Sequence, residues 1–156
     1  MSKASSISPG VSPGVSYETT RHVRDHCLCL HAQRAARTLA RRFDEALRPL
    51  GLTSGQFSLL NALNRPEPVP LGLVAALLAM DRTTLTAALK PLERHGLVET
   101  STNANDRRSR LLSLSRGGRA LLKRAVPVWE QTHAGLDRLL VGHDAHDLRT
   151  ALRALS

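Results

Sequence analysis

The hydrophobic period of the sequence changes at one place, and that place limits the possible folds more than any other feature. Up to His95, apolar residues recur every three or four positions, as in amphipathic helices. Residues 97–101 and 110–114 then read as two short strands, joined by a loop rich in Asn, Asp and Arg. After Ser115 the helical period returns. The chain is therefore predicted to be mainly α-helical with a small β-hairpin.

Two short helical segments come directly before the predicted hairpin. Residues 71–79 predict a nearly all-apolar helix, and Asp81 is a suitable N-cap for a second helix over residues 82–95. Gly96 ends that helix, and Pro91 is expected to bend it because proline lacks an amide donor. Two helices with a tight turn and a hairpin behind them predict a winged helix-turn-helix domain, which we place at residues 51–118.

The segments on either side of this domain carry apolar stripes, and one chain of this size has too few partners to bury them. Residues 21–50 predict an N-terminal dimerisation helix, and residues 119–156 predict C-terminal dimerisation helices with a kink at Pro127. The predicted assembly is a homodimer. Residues 1–20 repeat SPGV in tandem and lack apolar content, so they are predicted to be a disordered tail.

Charge and cysteine content narrow the classes of function. The net charge is +9, and 19 of the 22 cationic residues are arginines, which favours a polyanionic partner. The longest apolar run, residues 74–80, is far too short to span a bilayer, and the N-terminus lacks a basic and apolar leader. Two cysteines one residue apart do not make a disulfide framework. We therefore expect no membrane partner and a cytoplasmic, nucleoid-associated protein.

Duplex DNA is the polyanion that this predicted arrangement fits. Helix 82–95 is narrow enough for the major groove and begins with small polar side chains that can meet base edges. The arginines of the hairpin loop can enter the adjacent minor groove, where the negative potential is strongest. Lys90 and Arg110 are expected to bind flanking phosphates. The predicted DNA contacts are Arg82, Thr83, Thr84, Thr86, Lys90, Arg107, Arg108 and Arg110.

Three segments of the chain resemble the MarR family (multiple antibiotic resistance regulators) of bacterial transcription regulators. They are LTSGQFSLLNAL, MDRTTLTAALKPLERHGLV and a wing signature, D-x-R-x(5)-L-[ST]-x-x-G, which falls on Asp106, Arg108, Leu114, Ser115 and Gly118. The resemblance implies a homodimer whose first and last helices entwine on a pseudo-palindromic DNA operator. It further implies a repressor that a small aromatic ligand, or oxidation of a cysteine, releases. Many relatives place an arginine after the threonine corresponding to Thr86, whereas this chain has Ala87.

The segment Cys27-Leu28-Cys29-Leu30-His31 is not explained by the predicted fold. On one continuous helix, Cys27 and His31 would share a side. The resemblance places Cys29 where hydroperoxide-sensing members keep their reactive cysteine, while their two tyrosines correspond here to Gln33 and Phe43. Three interpretations follow: a buried structural pair, thiol-based sensing through Cys29 with Cys27, or metal binding by Cys27, Cys29 and His31.

A sequence-specific DNA-binding transcription regulator is the leading prediction for the function. A thiol- or metal-dependent enzyme is one alternative, although the sequence has no His-Glu-x-x-His motif, no glycine-rich phosphate loop and few acids for catalysis. A nucleoid-type protein that binds DNA without sequence choice is another. We expect no catalytic residue and no cofactor.

Overall fold

A computed structural model describes residues 14–103 and 106–156, and the side chains of residues 106–108 lie outside that description. Within this part of the chain, the prediction of a mainly helical fold with a small sheet is confirmed. Seven α-helices and three strands follow one another, with a 3-10 turn at Arg48–Leu50. They are α1 (Tyr17–His26), α2 (Leu28–Leu47), α3 (Ser54–Ala62), β1 (Val69–Pro70), α4 (Leu71–Leu77), α5 (Arg82–Arg94), β2 (Val98–Asn103), β3 (Asp106–Leu114), α6 (Arg116–Asp137) and α7 (Ala145–Arg153).

The chain divides into two compact units, one ending at Arg37 and the other beginning at Thr38. In the first unit, α1 starts at Tyr17 because the Ser16 hydroxyl accepts the amide hydrogen of Thr19. The predicted disordered tail is therefore wrong for residues 17–20, where a polar but well-capped helix forms. Residues 1–13 of that predicted tail lie outside the described part of the chain.

The predicted single N-terminal helix is wrong as well, because the helix breaks at Cys27. The backbone there is extended, with φ −75° and ψ 103°. The amide of Cys27 bonds to the Val23 carbonyl at 2.9 Å and closes α1, while its thiol accepts the Leu30 amide hydrogen at 3.4 Å. One residue thus ends α1 and caps α2. Cysteine is not among the usual N-cap residues, so the sequence pattern did not reveal this break.

The core of the second unit lies under α3, α4 and α5. Thr53 and Gln56 form a capping box at the start of α3. Helices α4 and α5 meet at 105°, the geometry of a helix-turn-helix, and Ala79 in the turn between them has a positive φ of 49°. Pro91 lies inside α5 and Pro127 inside α6, each within a helix that continues past it. The largest fully buried side chains are Leu47, Leu59, Leu60, Leu63, Leu85, Leu89, Leu92, Leu112, Leu114 and Val74.

The hairpin is longer than predicted and belongs to a three-stranded antiparallel sheet of order β1-β3-β2. Strand β2 extends to Asn103 and β3 starts at Asp106, with an irregularity in register after Thr102. The third strand, β1, lies inside the proline-rich connector and pairs Val69 with Leu112. A strand of two residues has no periodicity to detect, which is why the sequence pattern did not reveal it.

The junction between the sheet and α6 explains the end of the wing signature. The Ser115 hydroxyl donates to the Gly96 carbonyl at 2.6 Å and accepts the Gly118 amide hydrogen at 2.9 Å. A Cβ atom on Gly118 would lie only 2.1 Å from the Leu97 carbonyl oxygen, so no larger residue fits without moving backbone. Leu114, beside them, is fully buried. These residues fix the base of the hairpin against α6.

The helices outside this core bury little within the chain. No residue of α1 or α7 is buried, and Leu47 is the one buried residue of α2. Helix α7 begins after its N-cap, Asp144, whose side chain accepts the amide hydrogens of His146 and Asp147. In the described part of the chain, no single helix is both long and apolar enough to cross a membrane; α4 and α5 satisfy that length and composition test only as a bent pair.

Candidate nucleic-acid interface

Helix α5 presents a polar and basic side to solvent. Its buried side consists of Leu85, Leu89 and Leu92. At about 100° per residue, the opposite side is a line of four residues one turn apart, which we call the outward stripe. All four are exposed: Thr83, Ala87, Lys90 and Arg94.

The start of α5 is held by Asp81. Its carboxylate accepts the Thr84 amide hydrogen at 2.8 Å and the Thr84 hydroxyl hydrogen at 2.6 Å. These two hydrogen bonds, the one from the hydroxyl foremost, keep the pKa of Asp81 below its usual range. The first turn of α5 is thereby fixed, and with it the side chains that lead the helix.

The threonines on the two borders of the outward stripe have used their hydroxyl hydrogens within the protein. Thr84 donates to Asp81, as above, and Thr86 donates to the Arg82 carbonyl at 2.7 Å. A hydroxyl carries one hydrogen and two lone pairs, so both threonines can now offer an incoming group only acceptor oxygens and methyl groups. The sequence predicted both threonines as DNA contacts. It did not reveal that their hydroxyl oxygens remain available as acceptors while their hydroxyl hydrogens do not.

Arg82 lies at the flank of α5. A Cβ atom on Gly72 would be 3.4 Å from an Nη atom of Arg82, so the guanidinium group rests over the start of α4. Arg82 is also only about 60° around the helix from Leu85, on the buried side. This position suits a phosphate beside the groove more than a base edge at its centre.

The hairpin is tied directly to the end of α5. The Thr100 hydroxyl on β2 donates a short hydrogen bond to the Glu93 carboxylate. Arg110 is exposed on β3, opposite Thr102. The side chains of Arg107 and Arg108, two of the predicted DNA contacts, lie outside the described part of the structure. Sequence reasoning did not find Glu93, because its role depends on a strand that begins five residues later.

The described cations on this side have no acidic partner among the described residues. Among the residues that the structure describes, the ion pairs within 4.0 Å are Arg24 with Asp25 and His133 with Asp137. Both lie outside the helix-turn-helix and the hairpin. The positive charges of Arg82, Lys90, Arg94 and Arg110 are therefore available to an external anion.

A groove opens between α3, α4 and α6, on residues that the sequence analysis did not assign. Its volume is about 610 Å³. Phe57 and Trp129 stack in its wall with ring centroids 6.4 Å apart, and the Arg65 side chain lies at its edge. The other lining residues are Ser58, Asn61, Ala62, Leu77, Leu78 and Val126. Such a mixture of aromatic rings and a few polar groups is typical of small-molecule sites.

The cysteine segment shows features that favour one of its three interpretations. Cys29 is exposed and Cys27 is half-buried, so the chain by itself does not bury the pair. The Gln33 side-chain amide donates to the Cys29 thiol at 3.2 Å, and His31 turns its Nε2 toward the Asp25 carbonyl at 3.3 Å. Across the described residues, no three His, Cys, Asp or Glu side chains come together in a metal-binding group. The structure thus shows an exposed Cys29 thiol in the first turn of α2.

A helix pair at 105°, a hairpin anchored to its second helix and an unpaired basic surface define a winged helix-turn-helix transcription regulator. A model described as the MarR family matches residues 50–109. The organic hydroperoxide resistance transcriptional regulator of Bacillus subtilis (strain 168) is 30% identical over 128 residues, covering 82% of this chain and 86% of that protein. The chain belongs to the MarR family of transcription regulators.

Solved structures agree with this assignment. The transcriptional regulator MosR of M. tuberculosis, crystallised in complex with DNA, is 36% identical, with a TM-score of 0.74 over 83% of this chain and 93% of that one. The transcriptional repressor CouR of Rhodococcus jostii RHA1, bound to a 23-mer DNA duplex, is 31% identical. Its TM-score is 0.68, over 85% of this chain and 92% of that one.

Proposed function

We propose that the chain binds a duplex operator as a homodimer and represses transcription until a signal releases it. Helix α5 enters the major groove with the outward stripe toward the bases, and the hairpin reaches the adjacent minor groove. Arg82, Lys90 and Arg110 bind phosphates, while Thr83, Thr84 and Thr86 face base edges. Arg107 and Arg108 enter the minor groove. The protein acts in the cytoplasm, at the nucleoid, and it does not turn over a substrate.

The observation that carries this proposal is the unpaired basic surface around α5. Four cations lie on one helix and its attached hairpin, none with an acidic partner among the described residues. Such an arrangement costs electrostatic repulsion in the free protein, and an anionic duplex removes that repulsion. The link from Thr100 to Glu93 holds the helix and the hairpin together as one docking surface.

A second copy of the chain is the partner that the uncovered helices support. Leu148 and Leu152 lie four residues apart on α7 and are 43% and 49% exposed. Leu139 and Leu155 on either side of them are more exposed still. Apolar residues at helical spacing with no cover in their own chain are typical of a helical dimer interface. The similar proteins with solved structures include two bound to DNA.

Two signals are compatible with the structure, and each has its own site. A small aromatic ligand fits the groove of Phe57 and Trp129, where its ring can stack and an acidic group can meet Arg65. A hydroperoxide can reach the exposed Cys29 thiol, which takes up one oxygen to become a sulfenic acid while the hydroperoxide leaves as the alcohol. The relative from Bacillus subtilis is named for resistance to organic hydroperoxides.

Fluorescence anisotropy with a labelled duplex from upstream of the chain's own gene tests the binding proposal. Two chains per duplex are expected, with an affinity about 1,000-fold or more above that for random duplex. Equal affinity for both duplexes would show a nucleoid-type protein instead. Absence of binding at low salt would overturn the proposal altogether.

The releasing signal is tested on the same complex. Trp129 is the chain's single tryptophan, so a ligand in the groove should quench its fluorescence saturably as the duplex dissociates; hydroxybenzoates and hydroxycinnamates are suitable probes. Cumene hydroperoxide should release the wild-type protein but not Cys29→Ser, while Cys27→Ser reports on the neighbouring thiol. Continuous peroxide consumption would contradict the regulator and support an enzyme, whereas loss of one thiol per chain without turnover supports a sensor.

A further inference from the structure

The chemistry of the α5 surface restricts which bases it can read. Thr84 and Thr86 stand on the two borders of the outward stripe, and both have donated their hydroxyl hydrogens to the protein. Any group that approaches them from the groove must therefore be a donor. The Asp81 carboxylate also polarises the Thr84 hydroxyl to which it is bonded, which makes that oxygen a stronger acceptor.

Ala87 occupies the centre of the same surface. It is exposed, it lies one turn beyond Thr83, and it offers a methyl group where an arginine would offer five hydrogen-bond donors. A side chain this small also lets the helix backbone come close to the base edges. The central part of α5, from Thr84 to Ala87, is therefore a surface of methyl groups and acceptor oxygens.

We propose, on the basis of the DNA-binding function above, that each half of the operator places an A·T pair under Ala87. The thymine 5-methyl group packs against the Ala87 methyl group, and the adenine N6 amino group donates to the hydroxyl oxygen of Thr84 or Thr86. In the major groove, an A·T pair presents the adenine amino donor and the thymine methyl group on the same edge, with the thymine O4 acceptor between them. A G·C pair also presents an amino donor, on cytosine, but it has no methyl group to meet Ala87, and the two acceptors of guanine would face acceptor oxygens and remain unpaired.

Base analogues in a selected duplex test the methyl contact. The full-length chain is used to select binding sites from a randomised duplex pool, and each thymine of the best site is then replaced singly by deoxyuridine, which lacks the 5-methyl group. One thymine in each half-site should matter, and its replacement should weaken binding about fourfold, the effect of one buried methyl group. In Ala87→Gly the thymine and deoxyuridine duplexes should bind equally.

Ala120→Gly is the matched control for that variant. Ala120 is also an exposed alanine inside a helix, α6, and lies outside the outward stripe. Glycine destabilises a helix to the same extent in both variants. The two variants therefore differ only in the ratio of their affinities for the thymine and the deoxyuridine duplex. Ala120→Gly should keep the fourfold ratio.

The amino contact is tested by the partner adenine. Replacing it with purine, which lacks the N6 amino group, should weaken binding about tenfold. Either Thr84→Val or Thr86→Val, whichever removes the accepting oxygen, should abolish that sensitivity. Ala87→Arg should move the selected base at this position to guanine, since arginine binds guanine N7 and O6.

The outcomes separate the inference from the function on which it rests. Sequence-specific binding with a G·C pair at this position, or an unchanged thymine to deoxyuridine ratio in Ala87→Gly, would overturn the inference and leave the regulator intact. A pool from which no sequence is enriched would overturn the proposed function, and the inference with it.

Discussion

The helix-turn-helix region and the helices that flank it differ in what they bury. Among the residues whose burial the structure describes, 18 apolar ones are buried; 17 of these lie between Leu52 and Ala125, and the other is Leu47, at the end of α2. Helices α1 and α7 bury none, and leucines on α2 and α7 remain exposed. One region completes its core within the chain, while the other offers apolar surface that a partner must cover.

The two regions therefore have different roles. The DNA-facing helix needs a fixed position, and a complete core with a capped helix start and a hydrogen-bonded hairpin provides it. In the proposed homodimer, the apolar residues of the flanking helices are covered by the second copy. Mutations in the two regions should therefore differ in kind.

Substitutions of a core leucine and of a flanking leucine should differ in how their effects depend on protein concentration. Leu85→Ala empties a fully buried position in α5 and should cost about 3 to 4 kcal/mol of unfolding free energy at every concentration. Leu152→Ala removes a half-exposed side chain and should cost under about 1 kcal/mol at low concentration, while weakening dimer association. Urea unfolding at two concentrations, with sedimentation for the dimer, checks both. Equal losses of unfolding free energy in the two variants would contradict the difference between the core and the flanking helices.

The junction with α6 should tolerate a methyl group at one glycine and not at its neighbour. Gly118→Ala places Cβ 2.1 Å from the Leu97 carbonyl oxygen and should cost about 3 kcal/mol, since backbone must move. Gly117→Ala, in the same helical turn, meets nothing closer than 3.6 Å and should stabilise by about 0.5 kcal/mol. Thermal unfolding measures both. A mild effect at Gly118 would mean that the sheet and α6 are not packed as described.

The turn between α4 and α5 contains a strained residue that glycine should relieve. Ala79 has a φ of 49°, a region that glycine adopts without steric cost, so Ala79→Gly should stabilise by about 0.5 to 1 kcal/mol. Ala76→Gly, at an exposed position inside α4, should destabilise by about 1 kcal/mol. Opposite signs in urea unfolding are the expected result, and the same sign in both would contradict it.

The smallest expected effect concerns Asp44, whose carboxylate accepts the Ser54 amide hydrogen at 2.6 Å. That backbone hydrogen bond, above other causes, lowers the pKa of Asp44, so its contribution is present above about pH 4 and is lost as pH falls through the lowered pKa. Asp44→Asn should cost about 0.5 kcal/mol at pH 7 after screening by solvent, and progressively less as the pH falls through the lowered pKa. Asp147→Asn is the control. A pH-independent difference would contradict this role.

Local chemistry made some of these features predictable from sequence. Asp81, Thr53 and Ser115 are caps because their side chains reach amides two or three residues on, and such contacts depend on neighbouring residues only. The break at Cys27 was missed because a thiol rarely caps a helix. The positions of Arg82 over Gly72 and of Glu93 against Thr100 depend on tertiary packing, which no local pattern encodes.

The most direct test of the DNA-binding surface compares two lysines. Lys90 on α5 and Lys123 on α6 are both exposed helical residues, so Lys90→Ala and Lys123→Ala remove the same charge from different places. Duplex affinity is measured against salt concentration, where each phosphate contact contributes about −0.9 to the log–log slope. For each bound chain, Lys90→Ala should make the log–log slope of affinity against salt concentration about 1 less negative. Lys123→Ala should leave that slope unchanged. Equal slopes for the two variants would contradict the account, because binding would then follow net charge and not the surface of α5.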